Sequence, residues 1–224
     1  MRTALPILAA VAFLAPAPCG AASASPGMHL EYAFADYDSV GTPANLMRFT
    51  GPNSGTLYVD FLRAAPDGGA IVQSKAWWWN ELRADQAVTC EVYPNANVVC
   101  DQYPVIESVP FVLMPMLAND FFSGILAAPT SRVAYSVKLP TNYYSWSCVA
   151  NLKLRGWTGP VGQVDLEGVL RPVNGPKAAQ METAEISYDR DKSLPILVHD
   201  VVTPTESSVE SAGTVDLKLL REHS

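Results

Sequence analysis

Apolar and polar positions alternate with period two along most of the chain after its first two dozen residues. Met28, Leu30, Tyr32 and Phe34 are separated by His29, Glu31 and Ala33, which gives a strand with one apolar and one largely polar face. Leu57, Val59 and Phe61 repeat the pattern after the turn chemistry of Gly51-Pro52-Asn53-Ser54-Gly55, and a strand over 70–79 follows Pro66-Asp67-Gly68-Gly69. Farther on, the apolar sets are Val133, Tyr135, Val137 and Leu139, then Trp146, Cys148, Ala150, Leu152 and Leu154, with Ser147, Asn151, Lys153 and Arg155 turned to water. Val164, Leu166 and Leu170, then Ala184, Ile186 and Tyr188, then 196–202, then Val215, Leu217 and Leu219 complete the series. Pro104, Pro129, Pro140, Pro160, Pro172, Pro176 and Pro204 fall between or at the ends of these runs, where a missing N–H does least harm.

One segment departs from this period. Leu117, Ala118, Phe121, Phe122, Ile125 and Leu126 recur at helical spacing, with Asn119, Asp120 and Ser123 opposite, and predict one central amphipathic helix bounded by Pro115 and Pro129. Glu107, Pro110, Pro115, Asn119 and Asp120 interrupt the surrounding apolar stretch, so it does not predict a membrane span. About a dozen antiparallel strands around one helix fit an open curved sheet or half-barrel that wraps the helix. A closed up-and-down barrel with the helix at one mouth fits as well.

The first residues have a different grammar. Arg2 precedes an apolar run from Ala4 to Ala15, and Ala22-Ser23-Ala24 has the small-residue form of a cleavage site, so residues 1–24 predict a secretory leader and 25–224 a single β-rich domain that is periplasmic or secreted. Without the leader, 14 basic side chains face 22 acidic ones, a net charge of −8. Such a surface repels nucleic-acid and anionic lipid phosphates. A hydrophobic fraction of 49% with 17% charged residues supports a packed core.

Export makes cysteine pairing relevant. Two short strands over 88–93 and 98–103 flank Pro94-Asn95-Ala96-Asn97 and predict a hairpin that brings Cys90 close to Cys100. A four-residue turn sets Glu91 rather than Cys90 against Cys100, yet Cys90–Cys100 is the preferred bond, with Cys148 free. No spacing of Cys and His predicts a metal site.

The exported domain of about 200 residues, with mid-chain helix material and the late hairpin from Ile186-Ser187-Tyr188-Asp189 to Leu194-Pro195-Ile196-Leu197-Val198, resembles the periplasmic outer-membrane lipoprotein carriers and related half-barrel proteins. The resemblance implies an apolar cavity between sheet and helix that holds an acyl chain. It assigns no residue to that family's functional arginine, since Arg48 and Arg63 are equally placed.

Catalytic candidates are few. His199 is the one central histidine, and its neighbour Asp200 points to the opposite strand face, so the two cannot pair with each other. His29 and Glu31 share a face but lack a third ligand, and Cys148 reads as a buried, inert sulfur among apolar neighbours. Asp60, Glu91, Asp165 and Glu167 read as solvated strand carboxylates. In the run Trp77-Trp78-Trp79, the outer two share a face and Trp78 takes the other, while Tyr143, Tyr144 and Trp146 form a second aromatic cluster. The expected function is a non-enzymatic carrier of a hydrophobic ligand, lined by Trp77, Trp79, Leu117, Phe121, Phe122 and Ile125, without cofactor or metal. The alternatives are an envelope domain that binds protein or glycan through exposed aromatics, and a hydrolase with scattered catalytic residues.

Overall fold

The alternating runs fold as strands, and the last of them closes the sheet on the first. The computed structural model describes residues 26–37, 54–79, 83–84, 86–102, 108–140, 145–173, 178–205 and 213–223. Among these the strands are β1 (His29–Tyr37), β2 (Ser54–Ala64), β3 (Ala70–Trp78), β4 (Arg83–Ala84), β5 (Val88–Val92) and β6 (Val98–Cys100). Helices α1 (Ser108–Met116) and α2 (Ser123–Ala127) follow, and then β7 (Thr130–Lys138), β8 (Trp146–Thr158), β9 (Val161–Pro172), β10 (Gln180–Asp189), β11 (Leu194–Pro204) and β12 (Gly213–His223). The expected leader lies outside the described residues.

The sheet is a closed barrel of eleven strands, β1-β2-β3-β5 and so on to β12, which pairs back onto β1 from His29↔His223 to Tyr37↔Thr214. The short β4 adds only to the end of β3, through Trp77↔Ala84 and Trp78↔Arg83. This corrects the half-barrel expectation and removes the basis of the resemblance to lipoprotein carriers. The physical reason is that an open sheet of this length leaves two rows of unpaired backbone groups, whereas pairing β1 with β12 satisfies both. Period-two alternation is the same in both shapes, so the pattern alone does not separate them.

Closure has a consequence for direction. In a ring of neighbours that alternate up and down, an odd number of strands forces one parallel junction. Here it is β6–β7, with Val98↔Val137 and Val99↔Lys138, while every other neighbouring pair is antiparallel. A parallel pair needs a crossover of a dozen residues or more, and the chain between β6 and β7, which contains α1 and α2, supplies it.

That crossover runs through the barrel. α1 packs against β6, β7 and β11, α2 packs against β7 and β8, and Val112, Leu113, Met114, Met116, Phe121, Phe122 and Ile125 are all buried. The single helix expected from the spacing of residues 117–126 is replaced by two short helices with turns between them. Pro115 lies in α1, whose end continues as turns held by Leu117 N–H to the Met114 carbonyl at 3.2 Å and Ala118 N–H to that of Pro115 at 3.2 Å. Asp120 N–H then leaves the helical pattern and donates to the Pro94 carbonyl on the β5–β6 loop at 3.1 Å. Tertiary hydrogen bonding overrides the local period, and α1, apolar nearly all round, fits an interior position.

Most of the apolar side chains of the alternation face the lumen, and most of the charged ones face outward. On β8–β10, Arg155 bridges Asp165 at 2.7 Å and Glu185 at 3.0 Å across neighbouring strands, the reverse of a barrel that turns apolar side chains to lipid. Among the described residues no helix is long and apolar enough to cross a membrane.

Candidate functional site

The apolar inner face of β10, Tyr188, Ile186 and Ala184, continues one step further to Glu182, which is 1% exposed. On β11 the same face carries Val198 and then Asp200, also 1% exposed. Ala184 is paired with Asp200, and Glu182 with Val202, so the two acids are diagonal neighbours inside the barrel. Tyr135 of β7 and Cys148 of β8, themselves register partners, both turn to the first acid. The Tyr135 hydroxyl donates to Glu182 Oε2, and the Cys148 thiol reaches the same oxygen at 3.1 Å.

β9 stands between β8 and β10, and its residue at the crossing is Gly168, paired with Ala150 on one side and Glu182 on the other. A Cβ there would lie 2.8 Å from Cys148 Sγ and 2.8 Å from Ala150 Cβ. The missing side chain therefore lets the Cys148–Glu182 contact pass over β9.

These groups sit in a low dielectric, which disfavours their charged forms. Burial raises the Glu182 pKa, against the opposing hydrogen bonds from Tyr135 and Cys148. Asp200 is driven well above the carboxylate range by burial and then by the Glu182 charge. Burial and then Glu182 also push up the Cys148 thiol and the Tyr135 phenol, so Cys148 is held as an unreactive thiol. One feature of the cluster is unsatisfied: Asp200 Oδ1 is buried with no hydrogen-bond partner.

An aromatic wall adjoins this polar belt. Phe121 and Phe122 meet edge to face at 4.8 Å, Phe121 lies 5.7 Å from the Tyr135 ring, and Phe122 stacks on Tyr188 at 4.2 Å. Ile125 is buried in the same core, and Leu117 sits where a groove of about 160 Å³ opens between Gly69, Val92, Pro94 and Asn119. Trp77 and Trp79 are not part of this wall. They lie on the outer face, 37% and 38% exposed, with the Trp79 indole N–H donating to Thr56 Oγ1 at 2.9 Å. Trp78 points inward and packs edge-on against Phe34 at 5.0 Å. Trp146 is buried, and Tyr143 and Tyr144 lie outside the described residues.

His199 faces away from Asp200 and finds a different acid. Its Nδ1 is 2.6 Å from Asp216 Oδ1 on β12, with both side chains buried. At one end of the barrel, His29 Nδ1 is 2.6 Å from Asp60 Oδ1 and its ring stacks on His223 of the paired β12 at 6.2 Å. No group of three or more metal-ligating side chains occurs among the described residues.

Cys90 and Cys100 stand directly opposite at bonding distance, S–S 2.09 Å, and Cys148 is free and buried. The loop between them is one residue longer than a four-residue turn. Val92 pairs with Val98, and Tyr93 N–H donates to the Asn97 carbonyl at 2.9 Å, while Ala96 takes a φ of 67°. That extra residue moves Cys90, not Glu91, opposite Cys100.

Glu182, Asp200, Tyr135 and Asp216 are not among the site candidates that the chain's pattern singles out. The first two carry a readable signal, because extending the alternation of 184, 186 and 188 back by two, and of 196 and 198 forward by two, places an acid on each inner face. Nothing local marks their meeting with Tyr135 and Cys148. Comparison with protein families, with curated proteins and with solved structures finds no match to this chain.

Proposed function

We propose that this chain is an exported, non-catalytic binding protein that holds a small, largely apolar molecule in its barrel, body against Phe121 and Phe122 and polar end at Asp200. The observation that carries this reading is the Asp200 carboxyl, 1% exposed with Oδ1 unpartnered. An unsatisfied buried polar atom costs about 1–3 kcal/mol, protein interiors pair nearly all their polar groups, and a bound donor would satisfy this one. Asp216 Oδ2 is also unpartnered, but that carboxylate already holds His199. Admission requires the α1–α2 crossover to shift, since its side chains occupy the lumen. Burial of the thiol and acids, and the separation of His199 from Asp200, support binding rather than turnover.

The test is saturable 1:1 binding of a neutral aromatic probe, read by calorimetry in the parent and in Phe121→Trp, which crowds the wall. The expected result is binding in the parent and at least about tenfold weaker binding in the variant, equivalent to about 1.4 kcal/mol. A parent that binds no probe at all sinks the reading.

A second reading rests on Trp77 and Trp79, two large aromatics exposed on one outer face. Aromatics so placed suit stacking on a glycan or docking on a protein. Pull-down by immobilised glycans that is abolished in Trp77→Ala/Trp79→Ala, with no lumen binding, would favour it.

A further inference from the structure

We infer that the Glu182–Asp200 pair recognises an organic ammonium, so that the polar end of the ligand is a protonated amine on an apolar, ring-bearing body. This rests on the lumen reading above and names the chemistry of the same site.

Three observations point to a cation. The first is the composition of the inner face around the pair. Tyr135 comes from β7, Cys148 from β8, the uncharged Gly168 from β9, Glu182 from β10, Asp200 from β11, and Val215 and Leu217 from β12. The described buried side chains of the crossover, from Val112 to Ile125, carry no charge. Two acids therefore share the lumen with no cationic side chain among the described residues that face them. The second is the free acceptor, Asp200 Oδ1, buried beside Glu182. The third is the ring of Tyr135, hydrogen-bonded to Glu182, with Phe121 at 5.7 Å from it, since aromatic ring faces attract cations.

Charge balance gives the exchange its direction. Without a cation the buried acids keep their protons, because a lone carboxylate in a low dielectric is costly. An ammonium that enters and displaces one acid proton to solvent leaves the lumen neutral: one positive charge arrives on nitrogen and one leaves as H⁺. The carboxylate so formed keeps the hydrogen bonds from Tyr135 and Cys148 if it is Glu182, and gains the ammonium as donor if it is Asp200. An ionised carboxylate ligand, the head group of a fatty acid, adds a negative charge beside two acids with nothing to offset it.

Phenethylamine, 2-phenylethanol and 3-phenylpropionate carry the same ring with a cationic, a neutral and an anionic end. Calorimetry with the full exported chain is expected to show phenethylamine binding at least about tenfold tighter than 2-phenylethanol, with 3-phenylpropionate weakest. Release of one proton makes the amine's affinity rise about tenfold per pH unit while the acids remain protonated, and makes its binding heat depend on the buffer's ionisation heat. Glu182→Gln/Asp200→Asn, checked for folding by thermal unfolding, is expected to lose the proton release and to bind phenethylamine no more tightly than 2-phenylethanol. Equal affinity for amine and alcohol overturns the ammonium assignment and leaves the lumen reading intact. A preference that survives in the double variant also overturns it, by locating the cation on the acidic surface. No binding of any probe removes both readings together.

Discussion

His199 and Asp200 are neighbours in sequence and face opposite sides of β11, and their surroundings differ in kind. The outward side gives His199 an acid, Asp216, at 2.6 Å, a charge-complementary pair buried on the barrel wall, although Asp216 Oδ2 is itself left without a hydrogen-bond partner. The inward side gives Asp200 another acid, Glu182, and leaves Oδ1 without a partner. Complementary pairing is what a fold uses to hold strands together. Two buried acids on adjoining strands contribute nothing comparable, which is why the inner pair, and not the His–Asp pair, reads as a site.

The inner side depends first on the crossover that fills the lumen. Phe122→Ala removes a ring stacked on Tyr188 and is expected to cost about 3–5 kcal/mol, read from urea unfolding. A cost below about 1 kcal/mol would mean that the inner wall is not packed as described.

The same substitution on the two faces of the barrel should give opposite results. Asp216→Asn weakens a buried pair and should destabilise by about 3 kcal/mol, whereas Asp200→Asn exchanges an acid whose charged form burial disfavours for an amide of like shape and should be neutral or stabilising. Thermal unfolding of both variants measures the difference, and equal losses would erase the distinction between the faces. Reducing the Cys90–Cys100 bond, with a sequence separation of 10, provides a scale for these effects at about 3 kcal/mol.

pH dependence gives a smaller and more specific effect. Glu182 and Asp200 have raised pKa values in the fold, so they bind protons more tightly folded than unfolded. Their contribution to stability is fully present below the unfolded carboxylate value of about 4 and is lost as pH rises through the folded values. Stability of the parent should therefore fall on raising the pH above about 4, by about 1.4 kcal/mol for every tenfold gain in proton affinity that folding confers, and Glu182→Gln/Asp200→Asn should flatten the profile. A profile unchanged in the double variant would show that the acids are not held protonated. The smallest effect is expected outside, where Trp77→Ala should change unfolding stability by no more than about 0.5 kcal/mol.

Much of this architecture is legible in the chain. Alternation identifies the inner residues of each strand, as with Leu30, Tyr32 and Phe34 in the core, because a strand's side chains must take turns between two faces. The same rule sets Trp78 opposite Trp77 and Trp79 and separates His199 from Asp200, but it does not say which face is inside, and Trp77 and Trp79, expected to line the cavity, lie outside. The helical spacing at 117–126 misleads, since Asp120 N–H is taken by the Pro94 carbonyl, a partner more than twenty residues away. The disulfide register also turns on one loop residue that the turn chemistry at 94–97 does not reveal.

What the sequence determines by itself is local: which stretches are strands and which side chains of a strand share a face. Whether the sheet closes, which junction is parallel, and which groups meet across β7 to β11 depend on contacts between distant segments. Pairing β1 with β12 joins residues nearly two hundred positions apart, and no period in the chain encodes that partner. Only the closed barrel brings Tyr135, Cys148, Glu182 and Asp200 to one wall, because their proximity comes from strand order and from the absent side chain at Gly168, both properties of the folded sheet.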